Sequence, residues 1–150
     1  MLAGCTSGQL NADGKANLKV LYVGGNADYE SFMEKRSSEE HEASVESRMQ
    51  AFGDMLRDYF DSVAVIHGKD YAPELSESYD VTVFDGAIPA IKPAIRETDA
   101  QGNITRYVRA QLLPEDFDCA AVTIGSTGES VGRAIGSKND WYCLCLDAHA

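Results

Sequence analysis

Five short apolar runs constrain what this chain can fold into: residues 18–23, 63–66, 81–84, 119–124 and 141–146. Apart from Lys19 and two threonines they do not alternate with polar residues. A strand with one wet face alternates, whereas a strand covered on both faces reads as a continuous apolar stretch. The runs therefore predict a mostly parallel five-stranded sheet covered by helices. Between the first two lies an amphipathic helix, whose apolar positions Val45, Met49, Phe52, Leu56 and Tyr59/Phe60 recur every three to four residues. Glu46, Arg48, Asp54, Arg57 and Asp58 are placed on its outer face. A short helix is expected over residues 73–78, and another over 129–137 with Val131 and Ile135 turned to the sheet. Strand, helix, strand in this order implies right-handed crossovers and a doubly wound α/β fold. One segment departs from the pattern. Residues 95–98 and 104–108 are β-prone and flank a Gly/Asn turn at 99–103, which predicts a β-hairpin inserted into the sheet order.

A length of 150 residues supports one domain of ordinary core size. Thirteen Lys and Arg against 24 Asp and Glu leave a formal charge of −11. Nucleic-acid binding begins with clustered cations, and here the basic residues are scattered among acids, so that class is excluded as a first reading. An anionic membrane surface is disfavoured for the same reason. No apolar run approaches the ~20 residues that a membrane-spanning helix needs.

The polar residues that could carry chemistry follow the apolar runs. They are Gly24-Gly25-Asn26, His67-Gly68-Lys69-Asp70, Asp85-Gly86, Gly125-Ser126-Thr127-Gly128 and Asp147-Ala148-His149. In an open parallel sheet these all lie at the carboxyl ends of the strands, where such folds bind ligands. Gly24, Gly25, His67, Asp85, Gly125, Ser126, Asp147 and His149 are the candidate ligand-binding residues. The competing account is that strand ends need turns, and turns are rich in Gly, Asp and Asn. It explains the glycines better than it explains His67 and His149. Residues 125–130 lack the Gly-Lys-Ser/Thr of a P-loop and the spacing of a dinucleotide fingerprint, and they read as a capped helix start. His67, Asp85, Cys145, Asp147 and His149 are the candidates for catalysis, as acid–base groups or, for Cys145, as a nucleophile. Cys119, Cys143 and Cys145 fall in apolar runs and read as buried thiols; Cys-x-Cys with one distant His is no zinc spacing. Neither a cofactor nor a metal is called for.

Met1-Leu2-Ala3-Gly4-Cys5 resembles the lipobox of bacterial lipoproteins, Leu-Ala-Gly-Cys. The resemblance implies a lipid on Cys5, a flexible polar tether up to residue 17, and a place in the bacterial cell envelope. A chance match of four common residues in a cytoplasmic protein is the alternative. The usual basic start and apolar segment do not precede the box.

The order of elements from residue 18 onward resembles the class I glutamine amidotransferase-like superfamily. Within it the chain is most similar to the ThuA-like, trehalose-utilisation branch. The residues that carry the likeness are the strand ending in Gly24-Gly25, the long helix, and Tyr79-Asp80-Val81-Thr82-Val83-Phe84-Asp85. The family implies a flavodoxin-like three-layer α/β/α sandwich over residues 18–150, and the branch implies a link to carbohydrates. In the amidotransferases the nucleophile sits in Gly-x-Cys-x-Gly. Here Cys143-Leu144-Cys145-Leu146-Asp147 puts bulk where those glycines belong, which demotes Cys145 to a core strand residue. The last apolar run ends four residues before Ala150, without the helix that would cover it, so the domain is expected to be incomplete at its C-terminal end. Two functions follow. The first is an envelope-anchored lipoprotein domain that binds a small, carbohydrate-related molecule and touches the membrane only through Cys5. The second is a glycoside or amide hydrolase using the cleft at the strand ends.

Overall fold

A computed structural model describes residues 10–25 and 38–124 of the chain. These residues build an α/β domain around a four-stranded sheet in which every neighbouring pair is parallel. The elements are β1 (Ala16–Gly24), α1 (Ser38–Tyr59), β2 (Phe60–His67), β3 (Val81–Phe84), β4 (Ile95–Thr98), β5 (Ile104–Val108) and β6 (Ala121–Thr123). Strand order is β2-β1-β3-β6. β1 is central, pairing Val20–Val23 with residues 63–66 on one side and with Val81–Phe84 on the other. That position explains why its apolar run is continuous: Val20, Leu21, Tyr22 and Val23 are all buried.

The two faces of the sheet are covered by different means. On one, α1 lays Met49, Phe52 and Leu56 over Val20, Tyr22, Val63, Val65 and Val83. The rings of Tyr22 and Phe52 stack at 5.2 Å between centroids, 13° from parallel. This is the face that helical periodicity predicts. Among the described residues the other face is covered by irregular chain. Tyr71, Ile88 and Leu113, with Tyr79, Leu112 and Phe117 beside them, close over Leu21, Val23 and Phe84. Residues 73–78 form the expected short helix, of the 3-10 type, its first turn starting at Pro73. A buried hydroxyl set holds that turn down. Thr82 Oγ1 donates to Ser76 Oγ at 2.9 Å, and the Tyr71 and Ser76 hydroxyls lie 2.8 Å apart. Buried hydroxyls that satisfy one another cost little, and they tie the loop to β3 in one register.

One further departure concerns the start of the first strand. β1 starts at Ala16, and residues 10–15 form a turn in which the Asn11 side chain accepts from the Asp13 and Lys15 amides and donates to Asp61. The latter part of the stretch read as tether is thus laid against the start of β2. The hairpin is present as expected: β4 and β5 pair antiparallel, separate from the main sheet. The helix expected at 129–137 and the strand expected at 141–146 lie outside the described residues, as do the lipobox and Cys5. No helix among the described residues is long and apolar enough to cross a membrane.

Candidate functional site

The strand order reverses direction about β1, since the chain passes from β1 to β2 on one side and then to β3 on the other. In open parallel sheets the carboxyl ends flanking such a reversal are where ligands find room. Here those ends are Gly24-Gly25, His67-Gly68 and Asp85-Gly86. The backbones converge so closely that side chains are excluded. A Cβ on Gly86 would sit 2.3 Å from the Gly24 carbonyl carbon, and one on Gly68 would sit 2.0 Å from the Ala87 oxygen. Gly25 has φ +141°, a conformation that L side chains rarely adopt. The rim is therefore a floor of bare backbone, with functional side chains rising beside it on the α1 face.

Asp85 lies within this rim and is not open to a substrate. Its side chain is 3% exposed, and three donors reach its carboxylate. Tyr22 Oη donates to Oδ2 at 2.6 Å, Arg48 Nε to Oδ2 at 3.1 Å, and Arg48 Nη2 to Oδ1 at 2.7 Å. A buried carboxylate held by a fork of guanidinium nitrogens is satisfied as an ion, and it orients the arginine in return. Burial, then the hydrogen bond to Asp85, pushes the Tyr22 phenol far above its ordinary range. Asp85 thus acts as a positioning residue for Arg48, whose side chain is about half exposed at the strand ends.

Arg48 corrects the reading of α1, which placed it on the outer face. It falls three residues after Val45 and four before Phe52, both on the covered side of the helix, and that spacing was the signal in the sequence. Glu46 and Arg57, also assigned outward, line a groove between α1 and the end of β2.

His67 ends β2 opposite Gly24, with its ring against Gly25. The Lys69 amide donates to its Nδ1 at 3.1 Å, so the neutral ring carries its proton on Nε2. His67 and Asp85 flank β1 from either side, about 10 Å apart across two strand spacings. The structure brings them to one rim without making them a pair. Beside His67 an open groove of about 420 Å³ is lined by Glu46, Met49, Gln50, Arg57, Val65, Lys69 and Asp70 as well. Its floor is apolar, through Met49 and Val65. Its walls carry two cations, Arg57 and Lys69, and two anions, Glu46 and Asp70.

Cys145, Asp147, His149, Gly125 and Ser126 lie outside the described residues, so of the candidates only Gly24, Gly25, His67 and Asp85 are placed. No group of three metal-ligating side chains occurs among the described residues. No protein-family model, no curated protein and no solved structure matches this chain.

Proposed function

We propose that this chain is a small-molecule binding domain, with a neutral, hydroxyl-rich ligand of the carbohydrate class held in the groove beside His67. The observation that carries the reading is the groove's chemistry. Two cations face two anions, so no net charge selects a charged ligand. An apolar floor ringed by donors and acceptors suits a molecule with C–H faces and an equatorial fringe of hydroxyls. A volume of about 420 Å³ lies within the range of small-ligand pockets, ~300–1,000 Å³. Binding is favoured over turnover because Asp85 is sealed by Arg48 and Tyr22 and stands across β1 from His67.

In the fuller reading, this domain is a flavodoxin-like sandwich of the class I glutamine amidotransferase-like, ThuA-like kind. Residues 141–146 supply a fifth strand, and Cys5 anchors the chain to the bacterial envelope by a lipid. The strand order β2-β1-β3-β6 supports the sandwich, since it is the order of flavodoxin-like sheets up to the fourth strand.

Titration calorimetry with a panel of neutral mono- and disaccharides, sugar phosphates and sugar acids tests the ligand class. Neutral sugars are expected to bind, and His67→Ala and Gln50→Ala to weaken binding about tenfold each, the loss of roughly one hydrogen bond to a neutral partner. Binding of only the charged members, or sugar-glycoside or amide turnover abolished by His67→Ala, overturns the reading. Metabolic labelling with a fatty acid tests the anchor: label lost in Cys5→Ser supports it, and an unlabelled wild-type protein refutes it.

A further inference from the structure

The β4–β5 hairpin stands apart from the main sheet as an arm without cover among the described residues. All nine of its strand residues are exposed, including Ile95, Ile104, Val108 and Tyr107, the last at 59%. An isolated two-stranded hairpin is at best marginally stable in water. This one is held at its base, where Ile91 and Lys92 pair with Gln111, and at its tip, where Asp99 caps the turn. Its charge also differs from that of the chain. Residues 91–109 carry Lys92, Arg96, Arg106 and Arg109 against Glu97 and Asp99, four cations against two anions in a protein of net −11. Arg106 is paired with Glu97 at 3.0 Å, whereas Arg96 and Arg109 have no partner among the described residues.

A complementary surface lies on α1. Ala51, Met55 and Tyr59 recur at four-residue spacing and are exposed, Tyr59 at 65%, with Asp54 and Asp58 alongside. Asp54 is paired with Arg57, while Asp58 has no partner among the described residues. The stripe offers apolar contact and negative charge; the arm offers apolar contact and positive charge. Pairing arm to arm would bring arginines together, and like charges across a sheet edge are unfavourable.

We propose that the β4–β5 arm docks on the Ala51–Met55–Tyr59 stripe of a second copy of this chain, each arm covering the other's helix in a two-fold dimer. Such reciprocal contact seats the arm face that carries Tyr107 and Arg96, which are register partners, on the stripe of each copy, and it closes without further growth.

Sedimentation of the whole chain across concentration and salt tests this, with helicity by circular dichroism as the folding control. The expected mass is twice that of the chain at low salt, falling toward the monomer as salt rises. Asp58→Arg alone, and Arg96→Asp with Arg109→Asp alone, are expected to weaken dimerisation at least tenfold. An equimolar mixture of the two variants is expected to restore it, because each arm then meets a helix of opposite charge. A wild-type chain that stays monomeric at all concentrations overturns the proposal, as does a dimer unmoved by either reversal. Hydrogen exchange on the arm separates the other occupants. Protection of residues 104–108 in a monomer assigns the arm's cover to its own chain. Protection only with phosphatidylglycerol vesicles assigns it to lipid. Either result refutes the dimer.

Discussion

Arg48 reaches from the middle of α1 to the end of β3 and grips Asp85 with two nitrogens, at 2.7 and 3.1 Å, while the Tyr22 hydroxyl closes on the same carboxylate. The contact links the helix to β1, about which the strand order reverses, and to the end of β3. The carboxylate is buried and the guanidinium is half in solvent, so removing one partner differs from removing the other.

Arg48→Met strands a buried charge with a single hydroxyl donor and is expected to cost about 3 kcal/mol. Asp85→Asn keeps the volume and leaves an arginine that water can reach, so about 1–2 kcal/mol is expected after allowing for that exposure. Urea unfolding of both variants checks the order. Equal losses would mean that the pair acts as a surface ion pair.

Alkaline pH is expected to unfold the domain through its buried phenols. Burial, foremost, raises Tyr22 and Tyr71 above the ordinary value of 10.0. Above that value the unfolded chain releases protons that the folded chain retains, so stability falls as pH climbs. Below pH 10 this contribution is present in full. Phenolate absorbance against pH should show two tyrosines ionising only together with loss of helicity. Tyr22→Phe should flatten the alkaline slope.

Acid is expected to act first on the arm. Hydrogen bonds from Asn103, its side chain foremost, hold the Asp99 carboxyl below its ordinary 3.8. The turn it caps is therefore stabilised above pH 3.8, and that stabilisation is lost as pH falls through the lower folded value. Exchange of the Gln101 and Asn103 amides, both donors to Asp99 Oδ1, should quicken in that window while β1 amides stay protected. Asp99→Ala should abolish the pH dependence.

Two glycine substitutions should separate crowding from backbone strain. Gly86→Ala drives a methyl into the Gly24–Gly25 backbone, which cannot move aside without breaking the sheet rim, and about 3 kcal/mol or more is expected. At Gly102 the space is open but φ is +85°, so Gly102→Ala should cost only about 1 kcal/mol. Thermal unfolding of the two variants reads the difference directly.

Residue patterns alone were sufficient for the parallel sheet, the long helix and the hairpin, because each depends on local periodicity. Continuous apolar runs mean two covered faces, three-to-four spacing means one, and a Gly/Asn turn between β-prone stretches means reversal. The runs at 18–23, 63–66 and 81–84 are the cores of β1, β2 and β3, and His67 and Asp85 follow directly at the ends of β2 and β3. Tertiary structure decided what those side chains do. Asp85 looks in sequence like a free carboxylate in a turn. Only packing α1 across β1 brings Arg48, 37 positions earlier, onto it and turns a candidate acid into an anchor. The groove arises in the same way, since Glu46 and Arg57, exposed on α1 as expected, become its lining only where β2 ends beside them. The cover of the second sheet face was equally non-local, because Tyr71, Ile88 and Leu113 have no common period and meet only over Leu21 and Phe84. Periodicity records which side of an element is dry; which distant residue dries it, and which charge meets which, depends on contacts between segments far apart in the chain.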